Sequence, residues 1–277
     1  MSNGREAIVP TVIVSGATFG IGHDIAVYLA EGGYRVVGFG LEAAPVSSVA
    51  TASIKVLNAE AEKRALPLSF IAGDVTSETD VSAAIDHALS FGNGLYGVIN
   101  NAAMGPLGTV LDTEPHMFSR ILEVNLKGPY QMCRAAIPHM AKRGGGRIVN
   151  VGSGAGWGKP NMAAYSASKG GLVALSAAMA LDHFAEGIAV NTVIPGGGGI
   201  VSGMSLGRVS GDHKRLQAKA VGTVAGRFMN GQDLAGAIRF LLSDEAVAIS
   251  GTIIDIGCFA HQGSSTPMPK QARDWRS

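Results

Sequence analysis

The stretch Ile8-Val9-Pro10-Thr11-Val12-Ile13-Val14-Ser15-Gly16-Ala17-Thr18-Phe19-Gly20-Ile21-Gly22 decides the fold. Ile8–Ser15 is rich in Val and Ile and reads as a short buried strand. Glycines at 16, 20 and 22 then turn the chain, and Ile25, Ala26 and Leu29 follow at helical spacing. Strand, glycine turn and helix in that order bring backbone N–H groups and the positive end of a helix to one point, where a phosphate can be held. Glycine suits the turn because bare backbone can come within contact distance of a pyrophosphate. The same glycine spacing also serves a plain strand-to-helix turn, so its meaning depends on the rest of the chain.

Working outward, Gly32-Gly33 ends the first helix and Tyr34–Phe39 reads as a second buried strand. Leu68–Ala72, Leu95–Asn100, Arg147–Val151, Ile188–Ile194 and Thr252–Ile256 read as five more. Helical patterns lie between them. They fall within 46–66, from Ser77 with Asp80 as a capping-box acid, from Glu114-Pro115 onward, over 162–184, and over Gln232–Leu242. Strands alternating with helices and no break in composition predict one α/β domain over 1–277. Its architecture is a single doubly wound parallel sheet of about seven strands, Rossmann-like, with helices on both faces. The polar, glycine-rich segment of about 196–226 is expected to be a mobile substrate loop, and the polar tail of about 261–277 to be loosely held.

The net charge of +1 gives no electrostatic footprint for nucleic acid. No basic cluster precedes an amphipathic segment, and no apolar run reaches the roughly 18 residues of a membrane span. The opening segment lacks a signal-peptide core. Cys133 and Cys258 are too few for a disulfide framework, and free thiols fit a reducing compartment. A soluble, cytoplasmic protein without nucleic-acid or membrane partners is expected. The seven histidines show no metal-ligating spacing, so no metal is expected.

Chemistry concentrates in the second half. Tyr165 and Lys169, four apart on a helix, project from one face. A cation beside a phenol favours the phenolate and brings it toward the working range of an acid or base. Such a pair can give or take the proton of an alcohol while a hydride moves. Ser153, just past the fifth strand, can face Tyr165 across a short loop and donate to a substrate oxygen; its plainer reading is a turn residue. Pro129 lacks an N–H and cannot bond the Asn125 carbonyl, so the helix should kink there and leave that carbonyl open to water or a ligand. After the second strand, Gly40-Leu41-Glu42 is where a dinucleotide fold meets the adenosine ribose. Glu42 is the charge in reach and no Lys or Arg lies between Gly16 and Gly22, which favours NAD(H) over NADP(H). A solvated loop carboxylate is the other reading of Glu42.

With these residues in order, the chain resembles the short-chain dehydrogenase/reductase family from about Val9 to Gly257. The glycine motif matches Gly16, Gly20, Ile21 and Gly22, with Ser15 where the family usually has threonine. The adenine-side acid matches Asp74, the N-N-A-G matches Asn100-Asn101-Ala102 with Ala103 for glycine, and the P-G after the sixth strand matches Pro195-Gly196. The catalytic set matches Asn125, Ser153, Tyr165 and Lys169. The resemblance implies that Tyr165 is the general acid/base and that Ser153 holds and polarises the substrate oxygen. Lys169 would tune Tyr165 and bind the nicotinamide ribose. Asn125 would hold, by its main-chain carbonyl, a water relaying protons to Lys169. The implied dinucleotide set is Gly16, Thr18, Phe19, Gly20, Ile21, Gly22, Leu41, Glu42, Asp74, Val75, Asn101, Ala102, Tyr165, Lys169, Pro195 and Gly196. One departure is Ile200 where the family often has a threonine that grips the carboxamide; Ser202 is the nearest hydroxyl.

The reading is an NAD(P)-dependent oxidoreductase interconverting a secondary alcohol and a ketone. A nucleotide-binding regulatory or scaffold protein without turnover, and a dehydratase or epimerase on the same fold, are the alternatives. Trp157, Met104 and Met204 are expected in the pocket wall, which suits an apolar or cyclic substrate. The broad apolar faces of the helices at 114–140 and 162–184 are ones the family usually pairs in dimers and tetramers.

Overall fold

The computed structural model describes residues 9–42, 53–195, 200, 202, 204–205, 212, 214 and 229–256. Seven strands form one parallel sheet: β1 (Thr11–Ser15), β2 (Arg35–Gly40), β3 (Leu68–Ala72), β4 (Leu95–Asn100), β5 (Gly146–Val151), β6 (Ile188–Ile194) and β7 (Ile253–Asp255). Their order is β3-β2-β1-β4-β5-β6-β7, so the winding reverses between β1 and β4. A crevice opens at the carboxyl ends of strands where such a reversal occurs.

Helices cover both faces. On one side α1 (Gly20–Glu31), α2 (Ile54–Lys63) and α7 (Gly231–Leu242) bury Ile25, Leu29, Leu57, Leu234 and Ile238 against Val12, Val14 and Phe70. On the other, α3 (Glu78–Leu89), α5 (Gly128–Arg143) and α6 (Ala163–Asp182) bury Val81, Ile85, Met132, Met140 and Met179 against Ile13, Val37 and Ile148. Alternate residues of one strand thus feed opposite cores, as the period-2 side-chain direction of a strand buried on both faces requires. β4 breaks the alternation: its register against β1 slips between Thr11 and Val12, so Leu95 and Val98 face the same core.

The strands from the sequence fall within one residue of these bounds, except that the first, expected from Ile8, begins three residues later at Thr11. Two local expectations change. Ser77 caps α3 by accepting from the Asp80 N–H (3.2 Å), but the Asp80 carboxylate turns back to accept from the Asp74 N–H (2.9 Å), so the capping box closes by half. The kink foreseen at Asn125 is a widening instead. α4 (Pro115–Leu122) runs through a π turn, Glu123–Lys127, into α5, and the Gly128 N–H bonds the Glu123 carbonyl five residues back. Pro129 in a regular helix would press its ring on the Asn125 carbonyl, and a wider turn relieves that contact. The loop expected over about 196–226 lies mostly outside the described residues, as do the 261–277 tail and Cys258.

Cys133 is a buried free thiol beneath β4, and burial pushes it up to about 12. No helix among the described residues is long and apolar enough to cross a membrane, and no described group of three or more His, Cys, Asp or Glu could hold a metal ion.

Candidate active site

The glycine turn after β1 is built around close approaches. Gly16 and Gly20 take φ of +65° and +58°, a left-handed region that suits glycine. A Cβ on Gly22 would stand 2.1 Å from the Gly16 carbonyl oxygen, so bare backbone is obligatory there. The turn is pinned to the end of β4. Ser15 Oγ accepts from the N–H groups of Asn101 (3.1 Å) and Ala102 (3.2 Å), and the Asn101 amide donates to the carbonyls of Ser15 (3.1 Å) and Gly16 (3.2 Å). Asn101 therefore shapes the cradle from behind.

Side chains cap α2, α3 and α7 through Ser53, Ser77 and Asn230, whereas α1 begins at Phe19 with no side-chain cap and no acid in its first turn. Its first N–H groups and positive dipole end meet the glycine turn, which suits a pyrophosphate. Thr18 reaches to the end of β2, its hydroxyl donating to the Leu41 carbonyl (2.8 Å). Glu42, beyond Leu41, is exposed. Asp74 is already engaged: Oδ1 accepts from the Thr76 N–H and hydroxyl (both 2.8 Å) and Oδ2 from Arg120 (2.9 Å). Burial works to raise this carboxyl, but the Thr76 N–H, the Arg120 guanidinium and the Thr76 hydroxyl outweigh it and hold it below the usual range. The following Val75 is buried, its carbonyl accepting from the Gln131 amide (3.0 Å). Pro195 follows β6 and is partly buried, and Gly196 lies outside the described residues.

Lys169 and Tyr165 come together beside the carboxyl end of β5, the strand that Ser153 follows. Lys169 reaches in from α6 and donates to the Val151 carbonyl (2.8 Å), with its Nζ 5.9 Å from the centre of the Tyr165 ring. Lys169 is 2% exposed, and burial alone pulls its ammonium down to about 8. Two residues past Val151, Ser153 Oγ accepts from the Ala155 N–H (3.2 Å), which leaves the hydroxyl proton to donate. The 3₁₀ turn Gly154–Trp157 that follows lies on α6 backbone to backbone. A Cβ on Gly170 would be 2.8 Å from the Gly156 carbonyl oxygen, and one on Gly156 3.1 Å from the Gly170 nitrogen. Two glycines thus hold the serine loop against the helix that carries Tyr165 and Lys169.

Asn125 does more than the sequence foresaw. Fully buried in the π turn, its amide accepts from the Met104 N–H (2.8 Å) and donates to the Met104 carbonyl (2.8 Å) and Ser168 Oγ (3.0 Å). Ser168 in turn donates to the Tyr165 carbonyl (2.7 Å). One side chain ties the loop after β4 to the helix turn between Tyr165 and Lys169. Asn100, the last residue of β4, is interior: it donates to Asn150 (2.7 Å), which donates to Ser176 of α6 (2.7 Å). Ser168, the Gly156–Gly170 pair and Gly105 were not singled out from sequence. The glycines of the 154–158 and 170–171 runs carried the signal, but only the fold makes them neighbours.

The glycine cradle, the uncapped α1 and the buried lysine beside a tyrosine agree with the family comparison. The short chain dehydrogenase model matches residues 10–205. The chain belongs to the short-chain dehydrogenase family. It is 38% identical over 198 residues to 2-(S)-hydroxypropyl-CoM dehydrogenase 3 of Xanthobacter autotrophicus, covering 70% of this chain and 74% of that one. The crystal structure of 3-ketoacyl-(acyl-carrier-protein) reductase from Brucella melitensis, complexed with NADH, superposes with a TM-score of 0.78 at 27% identity, over 92% of this chain and 100% of that one. A variant of actinorhodin polyketide ketoreductase with NADPH gives 0.81 at 24% identity, over 92% and 98%. The family is one of oxidoreductases, and these relatives are a dehydrogenase and two ketoreductases.

Proposed function

We propose that this short-chain dehydrogenase interconverts a secondary alcohol and a ketone, with Tyr165 as general acid/base. The observation that carries the reading is the buried Lys169 ammonium, held on the carbonyl of Val151 at the end of β5, two residues before Ser153, with the Tyr165 ring centre 5.9 Å away. An ammonium held there lowers the cost of a phenolate on Tyr165. A bound nicotinamide dinucleotide supplies or takes the hydride. In the reducing direction Tyr165 gives its proton to the oxygen as the carbonyl π electrons move onto it, and in the oxidising direction the phenolate takes that proton back. The Ser153 hydroxyl donates to the same oxygen and stabilises its developing charge. The main-chain carbonyl of Asn125 would hold the water through which Tyr165 regains its proton, by way of Lys169.

The cofactor set proposed from sequence agrees with the cradle at Gly16, Gly20 and Gly22 and the open start of α1. Glu42 favours NAD(H), since a carboxylate accepts from a free ribose 2′-hydroxyl and repels a 2′-phosphate. If Trp157, half-exposed, and Met104, partly buried, wall the pocket as expected from sequence, they favour an apolar or cyclic substrate. An open groove of about 590 Å³ runs along the π turn, α5 and α6, lined by Leu122, Leu126, Tyr130 and Leu175. Pairing of that face with a second copy would bury it.

The test is Tyr165→Phe, assayed at the reduced-nicotinamide absorbance band with a panel of secondary alcohols and ketones. NAD and NADP are titrated separately by fluorescence. Turnover is expected to fall by roughly 10²–10⁴-fold, the scale of general acid–base catalysis, with cofactor affinity largely kept. Full activity in the variant would remove the mechanism.

A further inference from the structure

Met204 was expected in the pocket wall, and the structure gives it a more particular position. It packs with Ala155, Met162 and Tyr165 in a small cluster separate from the two main cores. The space it uses is one that Gly105 leaves empty. A Cβ on Gly105 would lie 2.6 Å from the Met204 sulfur and 2.9 Å from Cδ2 of the Tyr165 ring. Position 105, the thioether and the phenol ring therefore share one small volume, and Tyr165 is left only 7% exposed.

Described residues on both sides of this contact are hydrogen-bonded. Met104, beside Gly105, is clamped by Asn125 through both its N–H and its carbonyl (2.8 Å each). Further along, the Gly108 N–H bonds the Asn161 carbonyl (2.9 Å), joining this loop to the start of α6. On the Met204 side, Ser202 and Ser205 bond each other and Ile200. Ser205 Oγ donates to the Ile200 carbonyl (2.6 Å), the Ser202 N–H donates to Ser205 Oγ (2.8 Å), and the Ser205 N–H donates to Ser202 Oγ (3.0 Å). Ile200 is itself paired to Met229, just ahead of α7, by a parallel bridge. What can yield at this contact is the methionine side chain, unbranched and with three rotatable bonds.

We propose that Met204 is the specificity-determining residue of the site. Its thioether is a side-chain gate over Tyr165 that admits flat or unbranched ketones and turns away those bulky beside the carbonyl. The inference rests on the oxidoreductase reading above and adds the substrate shape. A flat ring edge needs only a rotamer change at Met204. A quaternary carbon next to the carbonyl needs the volume that Met204, Gly105 and Tyr165 already share.

The test compares cyclohexanone with 2,2-dimethylcyclohexanone in the full chain, for wild type, Met204→Ala and Met204→Leu. Met204→Ala is expected to raise kcat/KM for the dimethyl ketone relative to cyclohexanone by about tenfold, the scale that one or two carbon atoms command in an apolar pocket. The change should come through KM, with NADH affinity by fluorescence unaltered. Met204→Leu keeps the bulk and is expected to keep the wild-type ratio. A ratio within about twofold of wild type in Met204→Ala would overturn the gate. Saturation-transfer NMR of both ketones, with NADH present, reads binding without turnover. If wild type reduces neither ketone, the reaction reading fails for this substrate class, and the gate is then decided by that binding ratio. An equal ratio in wild type and Met204→Ala overturns it.

Discussion

Lys169 keeps a charge in the interior with one backbone carbonyl as its hydrogen-bond partner, and that has a measurable consequence. Burial holds its ammonium at about 8 in the folded chain, whereas an unfolded lysine binds its proton up to about 10.4. Between those values the unfolded state binds more protons than the folded one, so raising the pH favours folding. The penalty for burying the charge is in full force below about 8 and is relieved as the pH climbs toward the unfolded value. Chemical denaturation of wild type and Lys169→Met at pH 7.5 and pH 9.5 should show wild type gaining stability relative to the variant at the higher pH. A difference that is flat or falls across the interval would contradict the buried-ammonium assignment. At the same scale, Asn125 illustrates a residue singled out for its carbonyl whose side chain ties the loop after β4 to α6. Sequence could point to the position through Pro129, but the amide's partners lie in segments remote along the chain.

At the scale of elements, the Ser153 loop and α6 form one unit because two glycines allow their backbones to touch. Gly170→Ala puts a methyl 2.8 Å from the Gly156 carbonyl oxygen, and the contacted atom is backbone rather than a yielding side chain. The 3₁₀ turn must move away, and Ser153 with it. A fall in kcat of about 10²-fold is expected, the scale of a catalytic group misplaced by about 1 Å, while cofactor affinity is held. Helical content by circular dichroism should be unchanged, because alanine is a better helix former than glycine. Wild-type kcat in this variant would mean the glycine contact does not position the serine. The π turn between α4 and α5 belongs to this scale too. Its cause, Pro129, was legible. Its form was not, because proline excludes the regular helix without choosing between a bend and a widened turn.

At the scale of the whole molecule, the groove over the π turn, α5 and α6 leads to an expectation about assembly. Tyr130, at its edge, is 46% exposed, and Leu126 and Leu175 line it. If copies pair there, Leu126→Arg puts an unpaired charge in the buried interface and should shift sedimentation toward a smaller species, with the wild-type circular dichroism retained. A wild type that sediments only as monomer would contradict the pairing. The sequence by itself determined the parallel α/β architecture, because seven Val- and Ile-rich runs separated by amphipathic helices leave few other ways to bury both faces of a sheet. It also pointed to the glycine turn after β1 and to Tyr165 and Lys169 on one helix face, since a strand end and the four-residue helix repeat are local features. What only the tertiary structure decided are the contacts between distant segments. Met204 lies against Gly105 and Tyr165, Gly156 against Gly170, and Asn125 between Met104 and Ser168. Local spacing is silent on these, because it records how a chain turns and not which turns come to share the same space.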